Sequence, residues 1–377
     1  MPPRKFLIVV TVLLSLLHLY LGLRLLPALP GGPLTHLLGI GWLLLSWLLL
    51  PSALLARFIP QRWLADGVAW VGMLAMGFFS SLLLLTLLRD LLLLAASLGG
   101  LSSPSLAQDS ALAVIGLAAL ISLIGFVNAR RLATVVEVEV PLKDLPAALH
   151  GFSIVQISDI HVGPTIKRNY LARIVHRVNA LDADLVAITG DLVDGRVREL
   201  QAHTAPLAEL RARHGSFFVT GNHEYYSNAA EWIVELRRLG LRVLLNEHVL
   251  IEHAGATLLL AGITDYSAGH FDPAQASDPQ AALRGAPAAL TKVLLAHQPR
   301  SAEAAASAGF DLQISGHTHG GQFFPWNYFV PLQQPWTAGL HRLRQMWVYV
   351  SRGTGYWGPP KRFGAPSEIT RLRLMRA

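Results

Sequence analysis

A chain of 377 residues with no cysteine cannot rely on disulfides, thiolate nucleophiles or Cys-type zinc sites. Its formal net charge of +7 is unevenly placed: residues 1–131 hold eight Lys and Arg against three acids, within long runs of Leu, Ala, Val and Gly, while the remainder holds 23 against 21. The basic balance therefore describes the flanks of apolar segments, and no nucleic-acid scaffold binding is expected.

Crossing a hydrocarbon layer roughly 30 Å thick takes about 20 apolar helical residues. Residues 6–26, 36–56, 67–88 and 111–127 qualify, the last being the shortest. Pro27, Pro30, Gly31, Gly32 and Pro33 break the first pair, and Gly99, Gly100 and Pro104 separate the third from the fourth. The start "MPPRK" before an apolar run also fits a signal peptide, but three further spans make a retained helix the simpler reading.

Arg4 and Lys5, then Arg57 and Arg62, then Arg130 and Arg131 mark alternate loops, against Arg24 and Arg89 on the others. The positive-inside bias then places both the N-terminus and everything after residue 131 in the cytoplasm. The expectation is a multi-pass protein of the cell (inner) membrane, its lipid bilayer the first partner, with an all-α transmembrane region of about four helices over 1–131 and a soluble domain over 134–377. Adjacent Arg89 and Asp90, at the end of the third span, read as an interfacial pair rather than a polar path through the bilayer.

From Thr134 the pattern changes. "TVVEVEV" alternates with period two, and "FSIVQIS", "ADLVAITG", "GSFFVTG", "TLLLAGI", "TKVLLAH" and "DLQISG" are strand-length runs ending in Gly, Ser, Ile or His. "KRNYLARIVHRVNAL" and "NAAEWIVELRRLG" have helical spacing, the second ending at Gly240 as at a C-cap. Mixed strands and helices of this kind predict an α/β (α+β) layered domain.

Five of these strands run into groups that bind hard or borderline metal ions: "SDIHVG", "GDLVDG", "GNHE", "AHQP" and "GHTHGGQ". Asp159 and His161, two apart, project to one side of a strand end. The Asp191 carboxylate has two oxygens and could bridge two ions. Asn222 offers a neutral oxygen, and His297, His317 and His319 offer imidazole nitrogens. With Asp191 bridging, these seven residues supply four ligands to each of two ions, spaced to acidify a water and hold the attacking and leaving oxygens of a phosphoryl centre. Any one motif alone reads as a turn or cap; five in succession at strand ends do not.

The ordered set resembles the calcineurin-like metallophosphoesterase superfamily, whose signature runs Asp-x-His, Gly-Asp, Gly-Asn-His-Glu/Asp, His and Gly-His-x-His. The resemblance covers residues 153–374. The tail "SRGTGYWGPPKRFGAPSEITRLRL" and the membrane-anchored layout look further like the YkuE/YaeI-type branch. The resemblance implies a calcineurin-like β-sandwich flanked by helices, one ion at Asp159, His161, Asp191 and His319, and another at Asp191, Asn222, His297 and His317. The ions would be Mn, Fe or Zn, and a bound hydroxide would attack the phosphate mono- or diester.

His223 is then left to donate a proton to the leaving oxygen or stabilise phosphoryl charge, or else only to fix its turn. Asp194 and Glu224 would orient an imidazole or the backbone. Arg352 is the candidate contact to an anionic substrate, with Lys361 and Arg362 as further options. The protein phosphatase form of the motif has Arg directly after the second Asp; Gly195 stands there instead, which puts protein phosphatase activity in doubt. The membrane half points to a lipid or lipid-linked substrate. A nucleotide or general phosphodiesterase, or a non-catalytic membrane sensor of metal or phosphate, are the alternatives.

Overall fold

The computed structural model describes residues 4–287 and 290–377. Two compact units divide the chain after Val127, the short segment Gly358–Lys361 counting with the first.

The first unit is built from four helices: α1 (Arg4–Leu25), α2 (Gly32–Leu55), α3 (Arg62–Leu98) and α4 (Pro104–Arg130). All four are long and apolar enough to cross a membrane. Leu21, Leu25, Leu50, Phe79, Leu82 and Val114 form its packed centre. At 37 residues α3 runs well past the expected end of the third span, because "LLLLAASL" carries helix propensity as far as Gly99. Arg89 and Asp90 consequently lie within a helix that continues for eight residues beyond them.

Arg89 is buried and donates to Ser110 Oγ (2.9 Å), Arg24 O (3.1 Å) and Ala107 O (2.9 Å). Asp90 accepts from Tyr20 (2.6 Å) and Arg24 Nε (2.8 Å). Pairing of this kind is what makes ionised groups tolerable among apolar helices. Lys361 is likewise committed, donating to Gly77 O (2.8 Å) and to the hydroxyls of Ser81 and Ser122.

In the second unit the strands are β1 (Thr134–Leu142), β2 (Ser153–Ile157), β3 (Leu185–Ile188), β4 (Ser216–Phe218), β5 (Arg242–Val243), β6 (Glu247–His253), β7 (Ala256–Gly262), β8 (Thr291–Leu295), β9 (Leu312–Ser315), β10 (Gly339–Leu343), β11 (Met346–Val350) and β12 (Glu368–Arg376). They form two six-stranded sheets, β1-β12-β2-β3-β4-β5 and β10-β11-β9-β8-β7-β6. Within them β2, β3 and β4 are mutually parallel, as are β7, β8 and β9.

Strands buried on both faces read as continuous apolar runs, and β2 and β3 show why. Ile154 and Leu185 point into the core between the sheets with Leu258, Val293 and Leu312. Val155, Ile157, Val186 and Ile188 point the other way, against Ile174 and Val178 of α5 (Arg168–Asn179) and Trp232 of the helix Ala229–Arg238. That helix stops where expected: Gly240, at φ +89°, supplies the left-handed residue after the cap. On the far side, Leu259, Leu294 and Val348 pack against Ala302 and Ala305. The result is a two-sheet sandwich between helical layers, with the parallel strands of each sheet ending on one edge.

Candidate metal centre

Each residue proposed from the motifs lies just beyond a parallel strand: Asp159 and His161 after β2, Asp191 after β3, Asn222 after β4, His297 after β8, and His317 and His319 after β9. Five of them, Asp159, His161, Asp191, His317 and His319, have positive φ between +51° and +72°. A left-handed backbone under a side chain costs about 1–3 kcal/mol and persists only where packing dictates it. Glycines permit the approach of the segments. A Cβ on Gly221 would strike the Asp191 carboxylate and lie 2.5 Å from its backbone N, and one on Gly316 would strike Ser158 and Asp159.

The side chains converge as two groups, Asp159 with His161 and His319, and Asp191 with His297 and His317. In the first, His161 Nε2 and His319 Nε2 are 3.0 Å apart, and His319 Nε2 is 3.5 Å from Asp159 Oδ1. In the second, His297 Nε2 is 3.1 Å from His317 Nδ1 and 3.2 Å from Asp191 Oδ2. The same Asp191 oxygen is 3.9 Å from His161 Nε2, so it stands between the groups. Asn222 Oδ1 is buried with no hydrogen-bond partner.

Lone-pair groups held this close need a proton or cation between them, and an acceptor without a donor fits a cation better than a fold built only for stability. The donor set of carboxylate, amide and imidazole fits divalent Mn, Fe or Zn. Burial pushes the His317 pKa down to about 3, with neighbouring His297 adding to it. Burial, then His161 and Arg362, hold His319 well below its ordinary value. Both shifts favour the neutral ring that a metal ligand needs, whereas for His297 burial is outweighed by Asp191, which raises its pKa well above the ordinary value.

Around these groups sit the supporting residues. Asp194 Oδ1 accepts from His161 Nδ1 (3.1 Å) and from His223 Nδ1 (2.5 Å). Burial alone would raise the Asp194 pKa, but the two imidazoles bring it well below the usual range. Burial disfavours charge on His223, yet its bond to Asp194 and the nearby Asp191 raise its pKa to about 9. Its Nε2 lies 3.9 Å from Asp191 Oδ2. Glu224 binds backbone, accepting from Gly221 N (2.6 Å), Asp191 N (3.0 Å) and Leu192 N (2.8 Å), and so ties the turns after β3 and β4 together.

Arg352 keeps 37% of its side chain exposed while Nη1 donates to the buried Glu368 (2.9 Å). Arg362 is buried and donates to the carbonyls of His319 (2.8 Å), Arg352 (2.8 Å) and Ala365 (3.3 Å), with Nη2 3.1 Å from His319 Nδ1. It clamps the ligand loop from behind rather than waiting for an anion. Two aromatic neighbours of His223 were not foreseen: Tyr226, ring centroids 5.1 Å apart, and Trp357, 5.7 Å apart and edge-on. Trp357 stands in "GYWGPP", a stretch the sequence marked only as a tail.

The family model for calcineurin-like phosphoesterases matches residues 152–321. A zebrafish (Danio rerio) "transmembrane protein with metallophosphoesterase domain" is 40% identical over 278 residues, covering 72% of this chain and 63% of its own. An uncharacterised metallophosphoesterase of Aquifex aeolicus is 33% identical over 218 residues, covering 57% of this chain and 82% of its own. YkuE of Bacillus subtilis, also an uncharacterised metallophosphoesterase, is 30% identical over 238 residues, covering 61% and 81%. The chain thus spans just under two thirds of the length of the zebrafish relative. Among solved structures, a 5'-nucleotidase precursor from Thermus thermophilus aligns with a TM-score of 0.38 at 15% identity, over 60% of this chain and 54% of its own. From the signature at the strand ends and the relatives matched over most of their length, the chain belongs to the calcineurin-like metallophosphoesterase family.

Proposed function

We propose that this protein is a membrane-anchored phosphoesterase working with two divalent ions on a phosphate mono- or diester carried by a lipid or lipid-linked molecule. Asp159, His161, Asp191 and His319 would hold one ion, and Asp191, Asn222, His297 and His317 the other. The observation that carries this reading is the pairwise convergence of four imidazoles on two carboxylates; the orphaned Asn222 oxygen belongs to the turn whose next residue, His223, donates its N–H to Asp191 Oδ1.

Divalent ions, when bound, supply Lewis acidity to phosphoryl oxygens and make water a nucleophile near neutral pH. The chain's own part is positioning and proton transfer. Asp194 holds Nδ1 of His223, which leaves Nε2 free to pass a proton to the leaving oxygen. Asp194 also fixes the His161 ring, and Glu224 fixes the loops that carry Asp191 and Asn222. Arg352, half-exposed and paired with Glu368, is the candidate partner for a substrate oxygen. The four apolar helices favour a substrate met at the bilayer, and the loop count of six basic residues against two favours a cytoplasmic catalytic unit.

Full-length protein in detergent, assayed for bound metal and for hydrolysis of bis-p-nitrophenyl phosphate and p-nitrophenyl phosphate, tests the reading. Metal-dependent turnover that disappears in Asp191→Ala is expected. Metal-loaded protein without turnover of either ester, or turnover unchanged in Asp191→Ala, would refute catalysis at this centre.

A further inference from the structure

Directly after the ligand segment "GHTHGGQ" the chain reads "FFPWNYFVPLQQPW", and residues 323–340 contain no Asp, Glu, Lys or Arg. Phe324, Trp326, Tyr328, Phe329 and Leu332 are between 44% and 79% exposed. Scattered apolar residues on a surface need no explanation, whereas five within nine residues with no charge among them form a patch that marks an interaction site.

The patch is firmly mounted. Phe323 is buried, Phe324 N donates to Phe363 O (3.1 Å), and Gln322 exchanges two hydrogen bonds with the backbone of Trp357, each 2.8 Å. Trp357, itself half-exposed, lies edge-on to His223, so apolar surface continues from the loop to the proposed proton donor. The mixture of Trp, Tyr, Phe and Pro without charge is that of side chains settling at headgroup depth, apolar body inward and polar tip wet.

Only residues 131–133 separate α4, long and apolar enough to cross a membrane, from β1. Three residues reach at most about 11 Å, so β1 begins close to the end of that helix, and a bilayer crossed by α4 is the partner tethered to this unit at high local concentration. We infer that residues 324–332 dock into the headgroup layer of the bilayer and so select phosphate esters carrying a lipid chain for the adjacent metal centre. This inference rests on the phosphoesterase reading and goes beyond it by naming the surface that recognises the substrate class.

The test uses the full chain in phosphatidylcholine nanodiscs, with bis-p-nitrophenyl phosphate as the soluble ester and hexadecyl p-nitrophenyl phosphate as the bilayer-borne one. The triple variant Tyr328→Ser, Phe329→Ser, Leu332→Ser is expected to lose at least about tenfold in kcat/KM on the hexadecyl ester, from the apolar area it no longer buries. On the soluble ester it should stay within about twofold, which also serves as the check on folding. Equal rates for variant and wild type on the hexadecyl ester, or equal losses on both esters, would overturn the inference. So would a changed oligomeric state with an unchanged ratio of rates, which would assign the patch to a second copy.

Absence of turnover of either ester by the wild type would remove the phosphoesterase reading instead. The docking surface is then judged by fluorescence quenching with lipids brominated near the headgroup. Quenching that drops in Trp326→Phe supports it, and no difference refutes it.

Discussion

Asp194 is the most informative single residue to perturb, because one carboxylate oxygen holds both a proposed ligand, His161, at 3.1 Å and the proposed proton donor, His223, at 2.5 Å. Asp194→Asn keeps one acceptor oxygen and replaces the other, together with the charge, by an amide NH2. Hydrogen bonds to charged groups contribute about 1.5–3 kcal/mol against about 0.5–1.5 for neutral ones, so the change costs about 1–1.5 kcal/mol per bond and about 2–3 in all. At 1.36 kcal/mol per decade this is a loss of about 30- to 160-fold in kcat/KM. In a His223→Ala background only the His161 bond remains to be weakened, and the same substitution should cost about 5- to 13-fold. The assay is steady-state hydrolysis of bis-p-nitrophenyl phosphate by the full-length protein, with bound metal measured alongside by mass spectrometry. Activity within about threefold of wild type with unchanged metal, or an undiminished loss in the His223→Ala background, would refute the shared-acceptor argument.

Three further substitutions probe other parts of the centre. Asn222→Ala removes a buried acceptor that has no donor, so the metal-stripped variant should melt at or above the wild-type temperature while binding one ion at least about tenfold more weakly, seen by calorimetry and metal content. Gly221→Ala drives a Cβ into Asp191; relief of that overlap should cost about 1–3 kcal/mol, read as a lower melting temperature, and should cut bound metal as Asp191 shifts. Arg362→Lys replaces a fork that serves four carbonyl groups, those of Gly355, His319, Arg352 and Ala365, with a point charge that cannot reach them all. A loss of about 2–4 kcal/mol in denaturant unfolding is expected, and a change below about 0.5 would show that the clamp is not structural.

Much of this was legible in the sequence for one physical reason: a strand buried on both faces is mostly apolar, so the ionisable residue that ends it stands out. Asp191 and His297 follow wholly or nearly apolar runs, and the runs before Asp159 and His317 are interrupted only by Gln156 and Gln313, buried and hydrogen-bonded inside. Where burial is one-sided or the partner is remote, the signal fades. In β6 the apolar triplet Val249, Leu250, Ile251 hides an alternation, since Leu250 faces solvent while its neighbours face the core. In β12 the alternation of Leu372 and Leu374 with Arg371 and Arg373 is regular, but nothing local says that the strand inserts between β1 and β2, pairing Leu372 with Ile154. Arg362 misled for a related reason. In "PPKRF" it has the composition of a solvated tail, and only the loops that bring the carbonyls of His319, Arg352, Gly355 and Ala365 around it bury it.

The strained backbone of the ligands then follows from the architecture. A side chain that continues a strand points to one face or the other of its sheet, and neither direction leads past the sheet's edge. Turning Asp159, His161, Asp191, His317 and His319 into the left-handed region aims them off the ends of two different sheets toward one space, at about 1–3 kcal/mol each. Such a cost is sustainable only because the strands behind these residues are locked by the inter-sheet core and the helix layers. It would serve no purpose in a domain selected for stability alone. The coincidence of strain, convergent lone pairs and an orphaned amide oxygen at one edge therefore points to ligand binding, where any of the three alone would not.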